Sequence, residues 1–210
     1  MTNTINGQGN DSHFKVREYP TLAIENWISG STSSIYPSTK EHCEFQMIIA
    51  NPARDNATSR KKNFLPLSAP VCLNLESLRP FESVEEQFQH YGITFHNAIA
   101  LHPSNAAYPP HSGTMVLMGA PKSGWIEIDF SEPICKFHCY ATSSQRILLS
   151  AYDREGKLLV QDDIPASNLA VSNSNISPNA PLKAVSQNIS RITLYSLDGQ
   201  LTVDDISFWF

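Results

Sequence analysis

From Val71 to the C-terminus, apolar residues recur at every second position in short runs, and this constrains the fold more than anything else in the chain. An extended strand turns successive side chains to opposite faces, so a period of two suits a half-buried β-strand. The clearest run is Trp125-Ile-Glu-Ile-Asp-Phe130, where Ile126, Ile128 and Phe130 share one face and Trp125 lies opposite. Val71–Leu75, Ile93–Phe95, Thr114–Met118, Ile134–Thr142 and Arg146–Tyr152 read the same way. So do Lys157–Val160, Ala184-Val185, Ile189–Tyr195 and Leu201–Phe210. Asp153-Arg-Glu-Gly156 has the chemistry of a hairpin turn, and Pro103–Gly113 and Asn168–Pro181 read as loops. Strands spaced about ten residues apart, with turns between them, indicate a sandwich or barrel. One segment departs from the pattern. Val84, Phe88 and Tyr91 fall at helical spacing within Glu82–Tyr91, which predicts one short helix stopped by Gly92.

Composition narrows the function classes. Only 17% of the 210 residues are charged and the formal net charge is −5. No basic cluster exceeds Arg60-Lys61-Lys62, so a nucleic-acid partner is not expected. No apolar run reaches the ~20 residues of a membrane helix. Met1–Asp11 is polar and lacks the pattern of a secretory leader. The expectation is a cytoplasmic protein with no membrane partner, and export stays open because a removed leader would leave no trace. Residues 1–12 read as a disordered tail, 13–66 as a segment packed on the sandwich, and 67–210 as the sandwich itself. Asn51–Asn63 is polar and turn-rich, as a boundary or long loop would be. Of the four cysteines, Cys135 and Cys139 sit in an apolar stretch and read as buried free thiols. His138 in the same stretch reads as a core residue.

Several pieces, in their order, resemble a known family. They are Tyr91-Gly-Ile-Thr-Phe95, Ile126-Glu-Ile-Asp-Phe130, Ala151-Tyr-Asp-Arg-Glu-Gly156 and Val203-Asp-Asp-Ile-Ser-Phe208. Together, over residues 70–210, they resemble the galactose-binding-like domains of bacterial carbohydrate-binding modules. The resemblance implies an all-β, antiparallel two-sheet β-sandwich (jelly roll) with one short helix. It also implies a structural calcium, held by Glu76 after the first strand and Asp204 in the last. Asp205 is the alternate ligand, and loop carbonyls complete the shell. The implied function is a non-catalytic module whose partner is a carbohydrate or similar small polyol. Two features depart from the family: the absence of an export signal, and an N-terminal segment that the resemblance does not explain.

Sugars are held by aromatic platforms flanked by polar groups. On that chemistry the candidate ligand residues are His102, Tyr108, His111 and Trp125. Two other readings stay open. One is a calcium-dependent cyclase on the same scaffold, with Asp204, Asp205 and Tyr108 as the acids to test. The other is an assembly protein whose N-terminal segment completes a partner's sheet. The seven histidines show no zinc-site spacing, and there is no nucleophile elbow or phosphate-cradling loop. No catalytic residue is therefore assigned.

Overall fold

The computed structural model describes residues 47–53, 69–119 and 124–210. Eleven strands lie among them. They are β1 (Ile48–Ala50), β2 (Val71–Leu73), β3 (Ser83–Val84), β4 (Ile93–His96), β5 (Ala98–Leu101) and β6 (Val116–Gly119). There follow β7 (Trp125–Ser143), β8 (Ile147–Tyr152), β9 (Leu158–Ile164), β10 (Ala180–Ser196) and β11 (Leu201–Trp209). All pairings are antiparallel except β1 with β2. Among the described residues no helix is long and apolar enough to cross a membrane.

Two long strands build both layers. The runs Trp125–Phe130 and Ile134–Thr142, separate on sequence, join as the 19-residue β7. β10 pairs with it over most of that length, with register shifts between Val185 and Ile189 and between Ile189 and Arg191. Such bulges bend a strand and let it pass from one sheet to the other. The first half of β7 pairs with β4, and the second half of β10 pairs with β8, which pairs with β9. These strands form layer one. The second half of β7 pairs with β11, which leads to β2 on one register and to β6, β5 and β3 on another. These form layer two. The inner faces meet through aromatic rings. Phe130 of layer one lies 5.4 Å from Phe208 and 6.4 Å from Phe137, both of layer two. Ile126, Ile128, Leu149, Ile192, Leu194, Leu117 and Val203 fill the space between them at 1% exposure or less. The expected pairing of first and last ribbons is present, with Cys72 opposite Ser207.

Three expectations need correction. Glu82–Tyr91 is not an α-helix: Ser83-Val84 pairs with β5, and only Gln89–Tyr91 forms a 3-10 turn, ended by Gly92 in the left-handed region at φ 81°. Val84 and Phe88 are buried as the spacing requires, but strand pairing at Val84 wins over helical propensity. His138 is half-buried on an outer face rather than in the core, opposite Ser207 and Lys183. Cys139 is buried, whereas Cys135 is half-buried with its thiol donating to the Phe210 carbonyl at 3.2 Å. The readings of the 1–12 tail and of most of 13–66 fall outside the described residues.

Candidate functional site

Alternation along β7 and register across its neighbours place a polar and aromatic grid on the outer face of layer one. Trp125 stands beside Tyr195, then Leu148 and Asp163. The next row runs His96, Glu127, Thr193, Ser150 and Gln161. The third runs Thr94, Asp129, Arg191, Tyr152 and Leu158. Every inward neighbour in β7, from Ile126 to Phe130, is buried, so the outward set is forced into view. Trp125 is half-buried and Tyr195 is 42% exposed, which leaves aromatic surface available on this face.

The polar groups of the grid hold one another. Asp129 pairs with His96 Nε2 at 3.0 Å through one oxygen and with Arg191 Nε at 2.8 Å through the other. Glu127 reaches the same Arg191 nitrogen at 3.6 Å. The hydrogen bond from Arg191 to Asp129 holds the guanidinium above its usual pKa, against a smaller opposing effect of burial. A guanidinium engaged through Nε presents its two terminal nitrogens in a fixed fork, suited to hydroxyl or carboxylate oxygens. Ser150 accepts from Gln161 at 2.8 Å and extends the polar strip toward the edge. Beside it lies a groove of about 390 Å³ lined by Asp129, Arg191, Asp153, Arg154, Glu155 and Ser190. The buried hydroxyl of Ser190 has no hydrogen-bond partner among the described residues. His96, Glu127 and Asp129 also lie close enough to ligate one metal ion. Arg191 already supplies a positive charge to both carboxylates, so that cluster is complete as an ion-pair network.

The three carboxylates expected to hold calcium converge on a different feature, the loop at His111–Met115. Glu76 accepts from Thr114 N at 3.0 Å, Met115 N at 2.8 Å and Thr114 Oγ1 at 2.9 Å. Burial pushes its pKa up, but these three hydrogen bonds outweigh that and leave it lowered. Gly113, at φ 55°, lets the carboxylate pack on the backbone: a Cβ there would collide with Glu76 Oε1. Asp204 is 3% exposed and accepts from His111 N at 2.7 Å, Ser112 N at 3.1 Å and Asp205 N at 2.7 Å. Burial raises its pKa, with the Ser112 and Asp205 amides pulling the other way. Asp205, at φ 45° in the bulge before Ser207, accepts from Ser112 Oγ at 2.6 Å and pairs with His111 Nδ1 at 2.5 Å. As arranged, this donor set does not fit calcium. The loop turns N–H and O–H donors toward the carboxylates, whereas the ion needs six to eight converging oxygens.

The four expected ligand residues are dispersed. Trp125 lies in the layer-one grid. His111 lies over layer two, stacked on Tyr140 with centroids 3.5 Å apart. His102 is exposed, with Nδ1 on the Thr114 carbonyl at 3.0 Å. Tyr108 is 7% exposed and anchors its loop. Sequence reasoning missed Tyr195, His96, Glu127, Asp129 and Arg191. The signal for two of them was the same alternation that exposed Trp125, continued along β7 to Glu127 and Asp129.

Comparison of the sequence with protein-family models and with curated proteins finds no match. Among solved structures the chain is similar to TmCBM61 in complex with beta-1,4-galactotriose, at TM-score 0.35 and 10% identity, over 63% of this chain and 100% of that chain. It is also similar to the family 29 carbohydrate-binding module CBM29_1 from Piromyces equi, at TM-score 0.35 and 10% identity, over 56% and 80% of the two chains. A third similar structure is a DUF4465 family protein from Bacteroides caccae, at TM-score 0.33 and 10% identity, over 56% and 72%.

Proposed function

We propose that this protein is a non-catalytic binding module for a neutral saccharide chain, which lies across the outer face of layer one. The observation that carries the reading is the register of Trp125 beside Tyr195, next to the held set His96–Asp129–Arg191–Glu127. Pyranose rings offer apolar C–H faces to aromatic side chains and a rim of hydroxyls to fixed donors and acceptors. Both requirements are met within neighbouring rows. The acids a cyclase would use are engaged otherwise: Asp204 accepts three backbone N–H groups, and Tyr108 is buried.

Titration calorimetry with β-1,4-linked galacto- and gluco-oligosaccharides tests the reading. Saturable binding to at least one of them, with the oligosaccharide recovered intact, is expected. Affinities all weaker than about 1 mM, or a converted product, would overturn it.

Calcium has no part in this proposal, because the loop at His111–Met115 is held by the carboxylates themselves. Exhaustive chelation is therefore expected to leave the melting temperature unchanged. A fall of about 5 °C or more on chelation, restored by added calcium, would show that the resemblance had the cation right and the donor geometry rearranges around it.

A further inference from the structure

Layer two has an outer face of its own, with different chemistry. Nearest the His111–Met115 loop, one row holds Asp204, Tyr140 and Pro181. The next holds Cys72, Ser207, His138 and Lys183, and the third holds Trp209, Lys136 and Val185. Lys136 Nζ stands 4.1 Å from the centroid of the half-buried Trp209 ring. His138 meets Tyr140 edge-on at 4.9 Å. Lys183 is exposed, and Val185 is 61% exposed. The structure shows no ion pair to either lysine ammonium among the described residues. One row and more beyond the acidic end at Asp204 and Asp205, two ammonium groups with no ion pair among the described residues flank an imidazole and a Trp ring.

We propose that this face is a second, separate binding site and that its ligand is an anionic saccharide. The sugar ring rests against Trp209, and its carboxylate or sulfate lies between Lys136 and Lys183. An ammonium beside an aromatic face is a pairing that suits a charged sugar ring better than a neutral one. The charges that reach His138 agree. Burial lowers its pKa first, then Lys136, His111 and Lys183 lower it further, and Asp205 alone opposes them. Two further acids lie nearby: Asp204, buried in the neighbouring row, and Asp162, which accepts the Lys183 backbone N–H at 3.0 Å. The Cys72 thiol in the same row is pushed up by burial and by Asp205, which keeps it uncharged at neutral pH. An anion placed here relieves repulsion at His138, so its pKa rises on binding and binding tightens as pH falls.

The test uses a Trp125→Ala/Tyr195→Ala background, which removes the layer-one site and separates failure of this proposal from failure of the first. The probes are oligogalacturonate for a carboxylate source, a sulfated galacto-oligosaccharide for a sulfate source, and the neutral parent sugar. One or both anionic probes are expected to bind, the neutral one not. Lys136→Gln/Lys183→Gln, which keeps most of each side-chain stem over Trp209 and the sheet, is expected to weaken binding about tenfold or more. The His138 imidazole, followed by NMR, is expected to titrate at higher pH when the anion is bound. Equal binding of the neutral and anionic probes would overturn the proposal. So would affinity unchanged in the Gln variant, an unmoved His138 titration, or no binding of either anion.

Discussion

Asp204→Ala is expected to destabilise the protein by about 2–4 kcal/mol, because it removes one buried carboxylate that accepts three backbone N–H groups. For a chain of this size that is a fall in melting temperature of about 5–15 °C. Asp204 lies beneath the loop, 3% exposed, and takes the amides of His111, Ser112 and Asp205. Without it the two loop amides lose their only hydrogen-bond acceptor on β11. Asp204→Asn keeps one acceptor oxygen and should recover about half the loss. Amide exchange at His111–Met115 should quicken in the Ala variant while the core strands stay protected until global unfolding. A loss below about 0.5 kcal/mol would show that water replaces the carboxylate and that the loop is not held from this side.

The two ends of the loop should respond to pH with opposite sign. The folded pKa of Asp204 is raised, so the proton-linked part of its contribution, separate from the hydrogen bonds above, is fully present below the ordinary carboxylate value and is lost as pH rises through the folded pKa. That of Glu76 is lowered, so its contribution is present above the ordinary value and is lost as pH falls through the folded pKa. Glu76 is exposed, so its share is the smaller. Comparing Asp204→Asn and Glu76→Gln with the parent between acid and neutral pH separates the two: each variant should flatten one arm of the stability profile.

Removing the aromatic pair should have the largest effect on binding. Trp125→Ala/Tyr195→Ala is expected to weaken the neutral saccharide about a hundredfold, from about 1–1.5 kcal/mol per ring. The fold should survive, because neither side chain belongs to the buried core. Arg191→Lys is the finer probe. Lysine keeps the charge but cannot engage Asp129 and still present a fork of donors, so it should weaken binding while leaving stability close to that of the parent. Parent-like affinity in the double variant would place the saccharide elsewhere and remove the proposal for layer one.

What was legible in the sequence was whatever depends on neighbours along the chain. Period-two alternation read out the core face of β7 through Ile126, Ile128 and Phe130, and it turned Trp125 outward. The Asp153–Gly156 turn is local too: Gly156 takes φ 79° and its N–H bonds back to the Asp153 carbonyl at 3.1 Å. So are the short strands on either side of it.

Contacts between strands far apart along the chain were not legible. Asp129 meets His96 across 33 residues and Arg191 across 62. Neither pairing has a periodic signature, because register between distant strands is set by bulges and by which inner faces pack. The same cause accounts for the failures. Val84 and Phe88 satisfy a helical spacing and a strand followed by a turn equally well, and pairing with β5 chose the second. Tyr108 and His111 are three residues apart, yet one is buried and the other lies on Tyr140. Residue type and spacing say which chemistry is available to a β-sandwich. Which side chains share a face is settled when the long strands β7 and β10 bend at their bulges and carry the chain from one layer into the other.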